Sequence, residues 1–330
     1  MRLGLIVGFV SAALCGVGLS DVRAETLPVE GIYAAGTDAP SRAQSIAISG
    51  FGGREGERVA FAIDTALRNA IIEGRPYFDV TFSEPQFGES YRYDRGADPV
   101  ARRGGADAVM RGIAEVEVDD VDSGTKEVEE CTKRDDRDKC IERTKVPYPC
   151  RTRTVELRPE VRLVGREGDL LYAMGDTLVA ERRFCKDEKG TPPVDMMVQD
   201  LANGFAAAVR SDLAPVFLVQ DIRVLENRDG IAKADHAAFR AAIRQTKDDI
   251  EGACRAFAAL EASNPRALSV LFNIGLCHES AGELEAATRQ YEAALAIKRG
   301  KIEPREGLDR IASRFRAEQQ LILHEGSGRP

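Results

Sequence analysis

Apolar and polar positions along the chain fall into three patterns. Behind Arg2, Leu3 to Leu19 is almost wholly apolar or small. Next comes a region that switches between alternating and helical periods. Ser45 to Phe51 reads as a short apolar strand, and Val59, Ala62, Ile63, Ala66, Leu67, Ala70 and Ile71 form an i, i+3, i+4 stripe that predicts an amphipathic helix. Phe78 to Phe82 alternates as a strand, and a short helix is expected around Pro99–Arg103. A strand from Ala108 to about Asp120 follows, and its apolar phase moves from Ile113 to Val116, which predicts a bulge near Gly112. Residues 151–184 read as a long antiparallel hairpin. Val155, Leu157, Val161 and Leu163 mark its apolar face, Glu167-Gly168 its turn, and Pro159 an edge position or bulge. A helix at 194–211 and a strand at Val216–Val224 complete the region. From there to the end the period is helical.

The order β-α-β-(α)-β-β-β-α-β predicts an α+β fold: an N-terminal α/β sandwich with a mixed, largely antiparallel sheet, followed by an all-α array of helical hairpins. The expected organisation is a signal peptide over 1–24, a linker over 25–43, the sandwich over 44–224 and a second linker over 225–233. The helical array then occupies 234–322, and a disordered tail 323–330.

The helical part repeats itself. Ala253 matches Ala287, Phe257 matches Tyr291 and Leu260 matches Ala294, at an offset of 34 residues. Pro265 falls at the end of a second helix, and Leu271, Ile274 and Gly275 hold large, apolar and small positions on the next first helix. Antiparallel helices pack closely where a small residue faces a large one, which is the reason for Ala and Gly opposite Phe and Tyr. These positions resemble tetratricopeptide repeats over roughly residues 234–297, with 303–322 as a capping helix whose apolar face carries Leu308, Ile311, Phe315 and Leu321. The resemblance implies a concave groove lined by the first helices, with Asn273, Cys277 and Ser280 as candidate lining positions.

The segments Ile46–Phe51, Gly74–Val80 and Gly105–Val109 around the amphipathic helix resemble the curli-secretion-channel superfamily, which includes lipoproteins that activate penicillin-binding proteins. This resemblance spans about residues 44–224 and implies a periplasmic or outer-membrane-associated assembly module. Residues 119–147, dense in Lys, Arg, Asp and Glu, are expected to form a solvated loop, with a partner-docking loop stapled by Cys131 and Cys140 as the alternative, and the charges over 121–149 argue against a pore hairpin.

Val22-Arg23-Ala24 supplies a small-x-small cleavage site, so export with Glu25 as the mature N-terminus is expected; Cys15 is the one candidate lipid anchor, preceded by a bulky Leu14. No later stretch is apolar enough to span a bilayer. Removing Arg2, Arg23 and Asp21 leaves 44 basic and 53 acidic residues of the original 46 and 54, a balance that argues against nucleic acid as a partner. Six cysteines remain, and an even count in an exported chain favours disulfides over zinc. With the turn at 167–168, residues whose numbers sum to about 335 face each other, Cys150 and Cys185 among them. Cys131 and Cys140 would then close the charged loop. Cys254 and Cys277 lie on neighbouring helices, as a bond or as two buried thiols.

Tests for an enzyme fail at each motif. In Gly50–Gly56 the third position of a dinucleotide fingerprint is Glu55, whose carboxylate would repel a phosphate. Asp119-Asp120 and Asp248-Asp249 read as solvated, and His236 and His278 have no nucleophile at a recognised spacing. The expectation is a non-catalytic envelope adaptor with protein partners, no cofactor and no metal. The rival is a lipid-anchored subunit of an outer-membrane secretion pore.

Overall fold

The computed structural model describes residues 25–82, 105–186, 190–191 and 193–326. The expected signal peptide, Cys15, the short helix around Pro99–Arg103 and the last residues of the expected tail lie outside them. The fold is α+β, and the chain divides into two compact units: Glu30–Val219 with Leu308–Pro330, and Met1–Val29 with Gln220–Gly307.

The elements up to the helical array run β1 (Thr26–Tyr33), β2 (Ser45–Gly52), α1 (Gly56–Arg68), the short β3 (Ile71–Ile72) and β4 (Arg75–Pro76), β5 (Asp79–Phe82), β6 (Ala108–Arg134), β7 (Cys140–Gly165), β8 (Leu170–Gly175), β9 (Leu178–Cys185), α2 (Val194–Leu213) and β10 (Val216–Arg223). The main sheet has the order β5-β2-β6-β7-β8, with β9 also on β7; β2 is parallel to β5 and β6, and the remaining pairs are antiparallel. The apolar stripe of α1 (Val59, Ile63, Leu67) and that of α2 (Val198, Ala202, Phe205, Val209) share one core with Ile46, Ile48, Met110, Leu157 and Leu163 of the sheet. β1 pairs with β10, so the segment 25–43, expected as a linker, opens with a strand. Its cause is the alternation of Leu27 and Val29, both fully buried.

Three local expectations are corrected. The ladder between β6 and β7 runs without interruption from Ala108↔Gly165 to Asp122↔Arg151, so no bulge interrupts it at Gly112. Ile113 is 42% exposed and belongs to the outer face. The irregularity lies instead on β2, between Ile48 and Phe51, where Gly50 has φ +67°. Pro159 is on an interior strand, opposite Ala114. Its carbonyl accepts from the N–H of Asp176, and β8 ends at Gly175 while β9 starts at Leu178. The donor that proline lacks would have faced that gap, which lets it sit in the middle of the sheet.

Residues 121–149 form no loop. β6 and β7 continue as a two-stranded ribbon to a turn at residues 135–138, where Oδ1 of Asp135 accepts from the N–H groups of Arg137 and Lys139. Opposite charges across the ladder hold it: Arg153 makes a bidentate pair with Asp120 at 2.8 and 2.7 Å, and Lys145 lies 3.5 Å from Glu127. Tyr148 donates its hydroxyl to Glu130, Val128 faces Val146, and a disulfide joins Cys131 to Cys140 near the tip. At the base of the ribbon Cys150 is bonded to Cys185 in the register that sums to 335. Loop composition and ribbon composition coincide here, because polar residues occupy both faces and period 2 leaves no apolar trace.

The last helix of the chain (Ile302–Gly326) ends against this unit. The ring of His324 stacks on Tyr77 at 4.0 Å and 15°, with Phe78 edge-on, and Gln44 donates to the His324 carbonyl at 2.7 Å. Burial holds the imidazole below its usual pKa, against the opposing influence of nearby backbone carbonyls and Glu325. A His with a depressed folded pKa stabilises fully above about pH 6.5, and that stability is lost as pH falls through the folded value. The difference in urea midpoint between the native chain and His324→Phe should therefore change between pH 7.5 and pH 5, the native chain losing ground. A pH-independent difference would refute the assignment.

Candidate functional site

The second unit contains α3 (His236–Gln245), α4 (Ile250–Glu261), α5 (Leu268–Ser280), α6 (Leu284–Ile297) and the first residues of α7 (Ile302–Gly326). Local chemistry sets each boundary. Asp249 caps α4 by accepting from the Gly252 N–H at 2.8 Å, and Gly282 (φ +78°) makes the turn between α5 and α6. Ala253, Phe257, Ala287, Tyr291 and Ala294 are all fully buried, and Leu260 and Leu271 nearly so. Phe239 meets Phe257 edge-on at 6.0 Å, and Phe272 lies 5.5 Å from Tyr291.

Gly275 lies flat against Tyr291: a Cβ there would be 2.7 Å from the ring. Gly275→Ala should therefore destabilise the unit by about 2 kcal/mol, the steric cost exceeding the gain in helix propensity. A urea midpoint at or above that of the native chain would contradict this packing.

The three groove candidates, Asn273, Cys277 and Ser280, share one helix, α5. None of them faces an empty channel. Asn273 is fully buried, and its amide grips the backbone of Leu225: Oδ1 accepts from the Leu225 N–H at 2.8 Å, and Nδ2 donates to the Leu225 carbonyl at 3.0 Å. Ser280 donates its hydroxyl to the Pro28 carbonyl at 2.6 Å. Cys277 is bonded to Cys254 of α4. Two extended segments of the chain itself thus occupy α5, Glu25–Pro28 and the stretch around Leu225.

Further contacts hold these segments. The Glu25 carbonyl accepts from the Val224 N–H at 3.0 Å, and its carboxylate lies 3.0 Å from Lys247 Nζ. The hydrogen bond from Lys247 holds the Glu25 carboxyl below the usual carboxylate range. Asn264 repeats the use of an amide on the main chain by accepting from the Ala232 N–H at 2.7 Å, while its Nδ2 donates to Asp235. Neither Asn264 nor Glu25–Val29 stands out in the helical periodicity. The only sequence signals are an Asn before Pro265 and an alternating Thr-Leu-Pro-Val stretch.

A side-chain amide presents donor and acceptor together, so it satisfies an extended backbone whatever that strand's side chains are. The arrangement holds an extended stretch of the chain itself. Also on α5, Glu279 is fully buried and accepts from the Tyr291 hydroxyl at 2.6 Å, and His278 pairs with Glu283 at 2.6 Å. Among the described residues no group of three or more His, Cys, Asp or Glu is placed to hold a metal ion, and no helix is long and apolar enough to cross a membrane.

No protein-family model matches the chain, and no curated protein matches it. Among solved structures, a chain described as a neuraminyllactose-binding hemagglutinin homolog from Helicobacter pylori aligns with 53% of this chain and 82% of its own length, at 10% identity and a TM-score of 0.24.

Proposed function

We propose that the mature chain is a non-catalytic adaptor of the cell envelope: its helical unit acts as a tetratricopeptide-type array that holds extended protein segments, and its α/β unit docks to an envelope component. The observation that carries this reading is the grip of Asn273 on both backbone groups of Leu225, with no side chain of the held residue involved in those bonds. A helix face built to satisfy a bare extended backbone suits protein recognition. Three disulfides, Cys131–Cys140, Cys150–Cys185 and Cys254–Cys277, fit an oxidising compartment such as the periplasm. The rival pore subunit would need an apolar face on the β6–β7 ribbon. Lys126, Glu127, Glu129, Lys133, Arg143 and Lys145 deny it one.

Mass spectrometry of the mature N-terminus together with affinity capture from an envelope fraction tests the reading. A free Glu25 and saturable recovery of an envelope protein support the adaptor. A diacylated Cys15, or recovery of none, overturns it in favour of the anchored subunit.

A further inference from the structure

The residues that fill the helical unit are held as a ligand would be held. Glu25–Val29 makes none of the contacts described above with its sequence neighbours: its partners are Val224, Lys247 and Ser280, the last at a sequence separation of 252. Its recognition has the three parts of strand addition. Main-chain bonds come from Val224 and Ser280, a charge pair comes from Lys247, and two anchors, Leu27 and Val29, are fully buried at alternate positions while Thr26 and Pro28 are not. The segment belongs to a two-stranded ladder, the smallest and least self-sufficient kind of sheet. If export cleaves after Ala24, it is also a chain end, so it can leave without unthreading.

From these observations we infer that the place occupied by Glu25–Val29 is a strand-receiving site that accepts, in trans, an extended segment of a partner protein with the same pattern: a carboxylate followed by apolar residues two and four positions later. This rests on the adaptor reading above and gives it a substrate class and an access route. The resident strand, tethered at high effective concentration, keeps the site closed. A partner gains entry by replacing it, because an empty site would leave the Ser280 hydroxyl, the Lys247 ammonium and the Val224 N–H without the bonds they now make. The charge on Lys247 selects an acidic leading residue, and the two anchors select the apolar pair.

The probe is a synthetic peptide of residues 25–33, fluorescently labelled at its C-terminus, titrated into the full mature chain. In the double variant Leu27→Ser, Val29→Ser the resident strand loses its anchors, and the peptide should bind it saturably and at least 10-fold more tightly than it binds the native chain. A control peptide with serine at positions 27 and 29 should not bind. Adding Lys247→Glu to the variant should weaken binding several-fold, and more so at low salt. If the double variant does not fold by circular dichroism, Leu27→Ala alone replaces it. Equal binding to native and variant chains, or no binding to a folded variant, overturns the inference. Peptide binding and capture of an envelope partner are separate readouts. Binding without capture defeats the adaptor reading and leaves the site standing; capture without binding defeats the site alone.

Discussion

Asn273→Ala should cost the helical unit about 3 kcal/mol and release the Leu225 amide to solvent exchange. Two effects combine. The substitution removes both bonds to Leu225 and leaves its N–H and C=O without their side-chain partner, a penalty of about 1–3 kcal/mol for each group that water does not reach. It also leaves a void in a fully buried position, which partial collapse of the surroundings does not erase. Hydrogen exchange checks the local claim: protection at Leu225 should fall by orders of magnitude while the α1 amides of the other unit keep theirs. Asn273→Asp is the informative companion. It keeps an acceptor for the Leu225 N–H but turns a carboxylate oxygen toward the Leu225 carbonyl, so it should be at least as damaging as alanine despite its similar size. Full protection at Leu225 in Asn273→Ala would show that the amide is incidental to how the segment is held.

Much of the architecture was legible in the chain because it rests on short-range pattern. The helical stripe Val59–Leu67, the alternation of Val155 to Leu163 and the small-large pairing of Gly275 with Tyr291 are periodicities within one element or between neighbours, and they survive translation into structure. The hairpin register was legible for the same reason: a turn at Glu167-Gly168 sets which residues face each other, and Leu157↔Leu178 and Cys150↔Cys185 follow by counting. The site was legible only in part. The α5 positions Asn273, Cys277 and Ser280 could be named through the resemblance to tetratricopeptide repeats, but their partners could not. Glu25–Pro28 meets Ser280 across 252 residues, and no local pattern encodes a pairing over that distance. The ribbon 121–149 was missed for a different reason. Cross-strand ion pairs such as Glu127–Lys145 stabilise a ladder without leaving any apolar period, so it carries the composition of a loop. The final helix also departs from the expected cap: of its apolar face Ile311 is buried and Leu308, Phe315 and Leu321 are half-buried, and from Leu308 onward the residues belong to the α/β unit, because apolar spacing does not name what buries a face.

The largest single-residue loss is expected at Tyr291, where shape and chemistry converge. Its ring is fully buried between two glycines, Gly275 of α5 and Gly307 of α7, where an added Cβ would approach it to 2.7 and 2.4 Å, and Phe272 flanks it at 5.5 Å. Each glycine is there because the ring fills the space a side chain would need. Truncation to alanine therefore opens a cavity that the two flanking glycines have no side chain to fill, and the cost should lie at the top of the aromatic-to-alanine range, about 5 kcal/mol. The hydroxyl adds a separable part. It donates to Glu279, a side chain with no solvent exposure, so Tyr291→Phe should keep the packing and lose about 2 kcal/mol by taking a donor from a buried acceptor. Urea unfolding followed at the α5 amides by hydrogen exchange would rank native above Tyr291→Phe above Tyr291→Ala. Glu279→Gln offers the cross-check, because it should blunt the hydroxyl's share of both losses and leave Tyr291→Ala with the cost of the missing ring. If phenylalanine proved as damaging as alanine, the buried Glu279 side chain rather than the ring would be what organises the small-against-large packing of these helices.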